Sequence, residues 1–176
     1  DPALAETHTA LGQIHMFRDR YYVAAEAEYA RARAANEKYA RLWHHLGMMR
    51  AFQGRPAEAL AAVRRARELE PMTLLYNANY ALVMYHSRRY EEAMTHVRAL
   101  LETLPTFHQA RSVLIRSLVA TGKLDEAERE LALRASEMPN ISDGALVYAH
   151  QGKRDRALAE IARIRKLSEA GFGVGY

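Results

Sequence analysis

Eight histidines raise the first chemical possibility for this sequence, a bound metal ion. His44 and His45 are adjacent, so on a helix they point to different faces. Glu92 and His96 are four residues apart and would share one helix face, but two ligands do not complete a metal site. No His-Glu-x-x-His motif occurs. We therefore expect neither a metal site nor any other cofactor.

The residues that catalysis would need are also missing from the sequence. There is no cysteine, which excludes thiol nucleophiles and disulfides. The acidic runs at 91–92 and 125–128 would begin helices, where the helix dipole is enough to explain them. The glycines of 171–175 lack the strand and helix that flank a dinucleotide-binding turn. We expect no enzymatic activity.

Composition and charge indicate a globular chain without membrane insertion. Apolar types make up 49% of the sequence, but runs such as 81–85 are far shorter than the roughly 20 residues of a spanning helix. The formal charge of +4 is spread among alternating acids and bases in 64–70 and 88–92, as on a solvated helix face. Direct nucleic-acid binding is therefore not expected. We place the protein in the cytoplasm, with the periplasm left open.

The strongest pattern is an internal repeat of 34 residues. Three proline positions, four alanine positions and four large apolar positions follow this spacing in one register. They are Pro71, Pro105 and Pro139; Ala25, Ala59, Ala93 and Ala127; and Tyr29, Val63, Val97 and Leu131. Three independent columns with one period predict stacked copies of a single structural unit.

Each unit has the pattern of two helices joined by a tight turn. Apolar residues recur every three or four positions through 42–52 and again through 59–69. Gly54 suits the left-handed residue that ends a helix, and Pro56 suits the first turn of the next. Pro71 closes the second helix. Gly47 and Ala59 are small enough to let the two helices approach closely.

These residues resemble the tetratricopeptide repeat family, in which such helix pairs stack into an all-α solenoid. The second unit matches the consensus through Trp43, Leu46, Gly47, Gly54, Ala59, Val63, Ala66 and Pro71. The resemblance implies one domain over 1–176, with five repeats at approximately 5–39, 40–73, 74–107, 108–141 and 142–169. Since the chain opens at Asp1, we expect a fragment of a longer protein.

Several positions depart from the family pattern. Arg88 stands where the other turns have glycine, which predicts strain of about 1 kcal/mol. Glu37 replaces the proline after the first unit, and the first internal turn has one extra residue. The first helix of the last unit is expected to lose four residues. The tail at 171–176 resembles an uncapped solenoid end, so a homo-oligomer is possible.

The resemblance also implies a concave groove, lined by the first helix of each pair, that binds a peptide or a partner helix. The predicted groove positions are Arg41, His44, Met48, Phe52, Leu75, Ala78, Leu82, Tyr85, His86, Gln109, Ser112, Arg116 and Val119. Thr9, Gln13, Met16 and Phe17 occupy the matching positions of the first unit. Met48, Phe52, Leu82 and Tyr85 are expected to be exposed apolar contacts.

Three functional hypotheses follow. The run at 22–26, the run at 75–78 and the shortened last unit resemble the repeat region behind the winged-helix domain of some bacterial transcriptional regulators. This favours the interaction part of such a regulator. A free-standing scaffold or assembly factor, for instance in envelope or pilus biogenesis, is the alternative. A nucleic-acid-binding helical repeat is the third.

Overall fold

The computed structural model describes residues 2–133 and 143–170, and every regular element in these ranges is an α-helix. In chain order the helices are α1 (Pro2–Phe17), α2 (Tyr22–Ala35), α3 (Ala40–Phe52), α4 (Pro56–Leu69), α5 (Leu74–His86), α6 (Tyr90–Thr103), α7 (His108–Ala120), α8 (Leu124–Ala132), α9 (Asp143–His150) and α10 (Arg154–Glu169). The prediction of an all-α fold is confirmed.

The chain divides into two compact units. Unit 1 (Asp1–Arg88) contains α1 to α5, and unit 2 (Arg89–Tyr176) contains α6 to α10. In unit 1, α1 packs on α2, α3 packs on α4, and α5 packs on both α3 and α4. In unit 2, α6 packs on α7, α7 on α8 and α9, and α9 on α10. Four of the predicted pairs therefore pack together inside the units, namely α1 with α2, α3 with α4, α7 with α8 and α9 with α10. The predicted pair of α5 with α6 is divided between the two units and stays a prediction.

The turns inside the pairs explain why glycine recurs in the sequence. Gly54, Gly122 and Gly152 have φ values of 70°, 75° and 72°. After α3, Arg55 N–H donates to Arg50 C=O at 2.9 Å and Gly54 N–H donates to Ala51 C=O at 3.1 Å. These two bonds cap the carbonyls that the helix end leaves unsatisfied, and they require a left-handed residue between them.

Arg88 adopts the same left-handed conformation without being a glycine, with φ 60°. The expected strain at this turn is therefore present in the backbone. The first turn, between α1 and α2, is one residue longer than the turn between α3 and α4, as predicted. Here Arg20 is the left-handed residue, with φ 51°. The expectation that every turn other than that of Arg88 has glycine is therefore wrong for the first turn, where Arg20 takes the position.

The repeated small residues lie where helices meet. Ala25, Ala59, Ala93 and Ala127 are all fully buried. A Cβ atom added to Gly47 would lie 2.6 Å from Val63 Cγ1 and 3.1 Å from the Ala59 carbonyl oxygen. The close approach of α3 and α4 predicted from Gly47 is therefore confirmed, since no other side chain fits that gap without movement.

Parts of the predicted last repeats lie outside the described residues. These parts include Pro139 and the glycine-rich tail 171–176. Asp1, at the other end of the chain, also lies outside the described residues. Helix α9 is described from Asp143 and has eight residues, against thirteen in α3, α5 and α7. Within the described ranges, no helix is long and apolar enough to cross a membrane.

Candidate peptide-binding face

In unit 1, helices α1 and α3 lie side by side and run in the same direction. Gln13 of α1 faces His45 of α3, and four residues further on Phe17 of α1 contacts Phe52 at the end of α3. The later residue of α1 contacts the later residue of α3, so the two helices point the same way. We call the surface formed by Glu6, Thr9, Gln13 and Phe17 of α1 with Arg41, His45 and Phe52 of α3 the α1–α3 face.

A polar cleft of about 330 Å³ occupies the N-terminal end of this face. It is lined by Glu6, Thr7, Thr9, Ala10, Gln13, Tyr39 and Arg41. Arg41 Nε donates to His45 Nε2 at 3.4 Å, and its other end reaches Gln13 Oε1 at 3.5 Å. Both bonds are long and both acceptors are neutral, so the guanidinium charge is only weakly engaged within the protein.

Thr9 lines the same cleft and is almost completely buried, with 1% of its surface exposed. Its hydroxyl oxygen has no hydrogen-bond partner in the part of the chain that the structure describes. A buried hydroxyl without a partner costs free energy, because it has lost its bonds to water without replacement. Because this oxygen is closed off from solvent whereas Arg41 is exposed, the cleft offers a ligand the guanidinium group and not the hydroxyl.

The adjacent histidines of α3 form the buried floor beside the cleft. Their ring centroids are 4.7 Å apart, and the Asn79 amide of α5 lies 2.6 Å from His44 Nε2. Burial lowers the pKa of His44 to about 4 and that of His45 to about 3, and the positive charge of Arg41 adds to both shifts. Both rings are therefore neutral at pH 7 and take part in hydrogen bonding.

The C-terminal end of the face is aromatic. The rings of Phe17 and Phe52 meet edge to face, with centroids 6.4 Å apart and an interplanar angle of 77°. They remain 57% and 52% exposed. Met16, which precedes Phe17 in the chain, and Met48, one helical turn before Phe52, are buried instead. We call Phe17 and Phe52 the aromatic pair, and it is the part of the face where an apolar side chain of a partner would be desolvated.

The structure places the predicted groove residues of unit 1 at different depths. Arg41, Phe52, Leu75 and His86 are exposed; Leu82 and Tyr85 are half-buried; and His44, Met48 and Ala78 are buried. The expected exposure of Met48 is wrong, since only 8% of its surface is accessible. Its apolar side chain is removed from water by packing, although the register places it on the predicted groove side of α3. Whether these residues bind a partner stays a prediction.

In unit 2, two of the four predicted groove residues are buried. Ser112 and Val119 of α7 are inside, Gln109 is exposed, and Arg116 is half-buried. Arg116 Nε donates to Asp143 Oδ1 at 2.9 Å, and Asp143 is fully buried. Arg116 therefore anchors α9 to α7, a structural contact that the groove prediction did not foresee.

Several residues around the α1–α3 face were missing from the sequence prediction, namely Glu6, Thr7, Ala10, Tyr39, His45 and Asn79. Glu6 lies three residues before Thr9 on α1, so helical spacing would have indicated it. Tyr39 precedes α3, and no periodic pattern marks it. Asn79 follows the predicted position Ala78, and its amide contacts His44. Among the described residues, no group of three or more His, Asp or Glu side chains is arranged to hold a metal ion.

Comparison with known proteins agrees with this architecture. A family model described as tetratricopeptide repeat matches residues 84–146. No curated protein is significantly similar to the chain in sequence. Sixty solved chains match its structure. We describe three of these similar structures, each of which is at most 22% identical in sequence.

PilW, a widely conserved type IV pilus biogenesis factor, matches with a TM-score of 0.77 and 20% identity over 94% of this chain and 78% of its own. A tetratricopeptide repeat protein from Parabacteroides merdae gives 0.77 and 22% over 92% of this chain and 64% of its own. YrrB, a tetratricopeptide protein with an unusual peptide-binding site, gives 0.60 and 16% over 91% and 84%. The fold is therefore the all-α solenoid architecture of tetratricopeptide repeat proteins.

Proposed function

We propose that this chain is a protein-interaction module that binds a segment of another protein on the first helices of its helix pairs. The observation that carries the proposal is the α1–α3 face, where two half-exposed phenylalanines stand beside a polar cleft. Surfaces that recognise peptides combine apolar anchors with a few polar groups that orient the chain. The peptide-binding site of YrrB, which has a similar fold, supports this reading.

The proposal extends to the whole chain. We propose that 1–176 is one tetratricopeptide region with the five repeats predicted from the sequence. The exposed members of the predicted groove, Arg41, Phe52, Leu75, His86 and Gln109, are the expected partner contacts. The buried members, among them Met48 and Ala78, would support those contacts from below. We propose no catalytic role.

Two more specific functions remain as proposals. The structural likeness to PilW favours an assembly scaffold of the kind used in pilus biogenesis, which would work in the periplasm. The interaction region of a transcriptional regulator, which would work in the cytoplasm, rests on sequence features alone. The complete gene separates them. A winged-helix domain encoded before Asp1 supports the regulator, whereas a secretion signal or lipid-attachment site supports the scaffold.

A selection experiment tests the general proposal. The purified chain is immobilised and offered a phage-displayed library of random peptides about twelve residues long. We expect enrichment of related sequences that bind the chain in solution, and we expect Phe52→Ala to weaken them. Val23→Ala is the matched control, because Val23 is an exposed apolar residue on α2, away from the face. Failure to enrich any sequence over an empty surface would overturn the proposal.

A further inference from the structure

Building on the proposed function, we infer that the α1–α3 face binds an extended peptide that carries a carboxylate side chain and, four or five residues away, a bulky apolar side chain. The carboxylate would lie in the polar cleft against Arg41, and the apolar side chain would lie against the aromatic pair. This assignment names the chemistry of the partner, which the proposed function leaves open.

The charge of Arg41 is the evidence for a carboxylate in the bound peptide. No carboxylate of the described residues forms an ion pair with Arg41, whose hydrogen bonds go to His45 and Gln13 at 3.4 and 3.5 Å. Arg50, on the same helix, is instead held by Glu26 and Glu58. An arginine that lines a cleft without a carboxylate partner can form a charge-assisted, bidentate bond with a ligand carboxylate.

The other polar groups of the cleft restrict what the carboxylate-bearing peptide can be. The Thr9 hydroxyl oxygen is closed off from solvent, so it is not offered to a ligand. The Gln13 side-chain amide lines the cleft and has a second N–H besides the one that faces His45, which it can donate to a ligand or to a peptide main chain. Glu6 lines the cleft as well, so it would accept N–H groups of the main chain and repel a second negative charge. A single carboxylate fits this arrangement better than a polyanion such as a nucleic acid.

The aromatic pair is the evidence for an apolar side chain in the bound peptide. Two phenylalanine rings that stay half-exposed beside each other form a larger apolar patch than either ring alone. Their edge-to-face geometry leaves a surface for an aliphatic or aromatic side chain rather than a flat platform for stacked bases. Covering such a patch removes apolar area from water and favours binding.

The distance between the polar cleft and the aromatic pair sets the number of residues between the two side chains of the peptide. Thr9 and Phe17 are eight residues apart on α1, and Arg41 and Phe52 are eleven apart on α3. At about 1.5 Å per residue these separations are roughly 12 and 16 Å. An extended chain advances about 3.3 Å per residue, so four or five residues cover the distance.

The test starts from the peptides that the library selection enriches. We expect an Asp or Glu four or five positions from a Phe, Trp, Leu, Ile or Met. For the strongest synthetic peptide, the acidic residue is also replaced by its amide, and both versions are measured against the unmodified chain. The acidic version should bind about tenfold more tightly.

Two variants then test which protein residue binds the acidic side chain of the peptide and which binds the apolar one. Arg41→Gln should remove the tenfold preference for the acidic version, while Arg65→Gln, which removes the same charge from α4, should leave it unchanged. Phe52→Ala should weaken both versions by about thirtyfold. Circular dichroism at matched concentrations checks that each variant keeps its helical content.

Several outcomes would overturn the inference. Enriched peptides without an acidic residue, or an acidic preference that survives in Arg41→Gln, would do so and leave the proposed function standing. Competition by a single-stranded oligonucleotide that depends on Arg41 would assign the face to nucleic acid instead. If nothing is enriched, the proposed function itself fails, and the inference fails with it.

Discussion

Single residues of this protein carry free-energy costs that the helix pairs around them must offset. His44 and His45 are buried as neutral rings, and Arg88 is held at positive φ. Neither cost follows from residue type alone. Each arises because a neighbouring element leaves the side chain or the backbone no alternative, and each leads to a measurable prediction.

The buried histidines predict that stability falls as the pH is lowered. Their folded pKa values, about 4 and about 3, lie below the unfolded value of about 6.5. Above pH 6.5 both states are uncharged and the histidines have no effect on the pH dependence. Below it the unfolded chain binds more protons, so the free energy of unfolding should drop by about 2 kcal/mol for each histidine between pH 7 and 5.

Chemical denaturation at pH 7, 6 and 5 measures this drop. His45→Gln should reduce the pH dependence by about half, since one proton uptake is removed. His150 is exposed at the end of α9, so His150→Gln should leave the pH dependence unchanged. Identical pH profiles for the two variants would contradict the prediction.

The left-handed turn after α5 predicts a stabilising substitution. Arg88→Gly should raise the free energy of unfolding by about 1 kcal/mol, because glycine adopts positive φ without a steric cost. The reverse change is the control. Gly54→Ala should lower stability by a similar amount, since a Cβ at Gly54 has no atom within 4 Å and only backbone strain is added. Thermal unfolding of the two variants checks the sign, and an Arg88→Gly variant that is less stable would refute it.

At the scale of elements, the helix pairs are held together by glycines and alanines at their crossing points. In the first pair a Cβ on Gly12 would lie 2.5 Å from the Tyr29 ring, and in the second pair Gly47 is equally close to Val63. The same contact thus recurs in both complete pairs of unit 1. It fixes how closely the two helices approach, and with that how the groove-facing side is presented.

We predict that Gly47→Leu destabilises the protein by about 1–3 kcal/mol, since the added side chain must displace Val63 and the backbone near Ala59. Ala61→Leu introduces the same side chain at an exposed position of α4 and should be close to neutral. Denaturant midpoints compare the two. Equal stability of both variants would show that the helices can separate without cost.

At the scale of the whole molecule, the prediction concerns what is bound. Tyr85 of α5 is half-buried and was predicted to line the groove. If it anchors a partner, Tyr85→Ala should weaken binding of a selected peptide by about 2 kcal/mol and leave helicity intact. Calorimetry and circular dichroism separate the two effects, and a loss of helical content would place Tyr85 in the core instead.

Nucleic-acid binding is the alternative at this scale, and salt tests it. A helical repeat that binds DNA or RNA through phosphates would show affinity that rises steeply as salt is lowered. We expect no binding of a random oligonucleotide at low salt, because many arginines form ion pairs with glutamates, such as Arg55 with Glu58 and Arg89 with Glu92. Tight, salt-sensitive binding in a filter assay would favour the nucleic-acid hypothesis.

The repeat was enough to predict the helices, the packing of α1 on α2, α3 on α4, α7 on α8 and α9 on α10, and the turns inside these pairs. A 34-residue period with glycine and proline at fixed places leaves the chain few alternatives, because these residues act through local backbone geometry. The position of Gly54, the strain at Arg88 and the close contact at Gly47 could all be predicted in this way.

Which side chains are available to a partner depends on how the helices pack, and the repeat pattern does not show it. Helical spacing assigns a side chain to a face of its helix, but the depth of that face depends on the neighbouring helix. Met48 and Phe52 lie on the same predicted face, yet Met48 is buried and Phe52 is half-exposed. The cleft that joins Thr9 to Arg41 arises for the same reason, since its walls come from helices that are distant in sequence and meet only by packing.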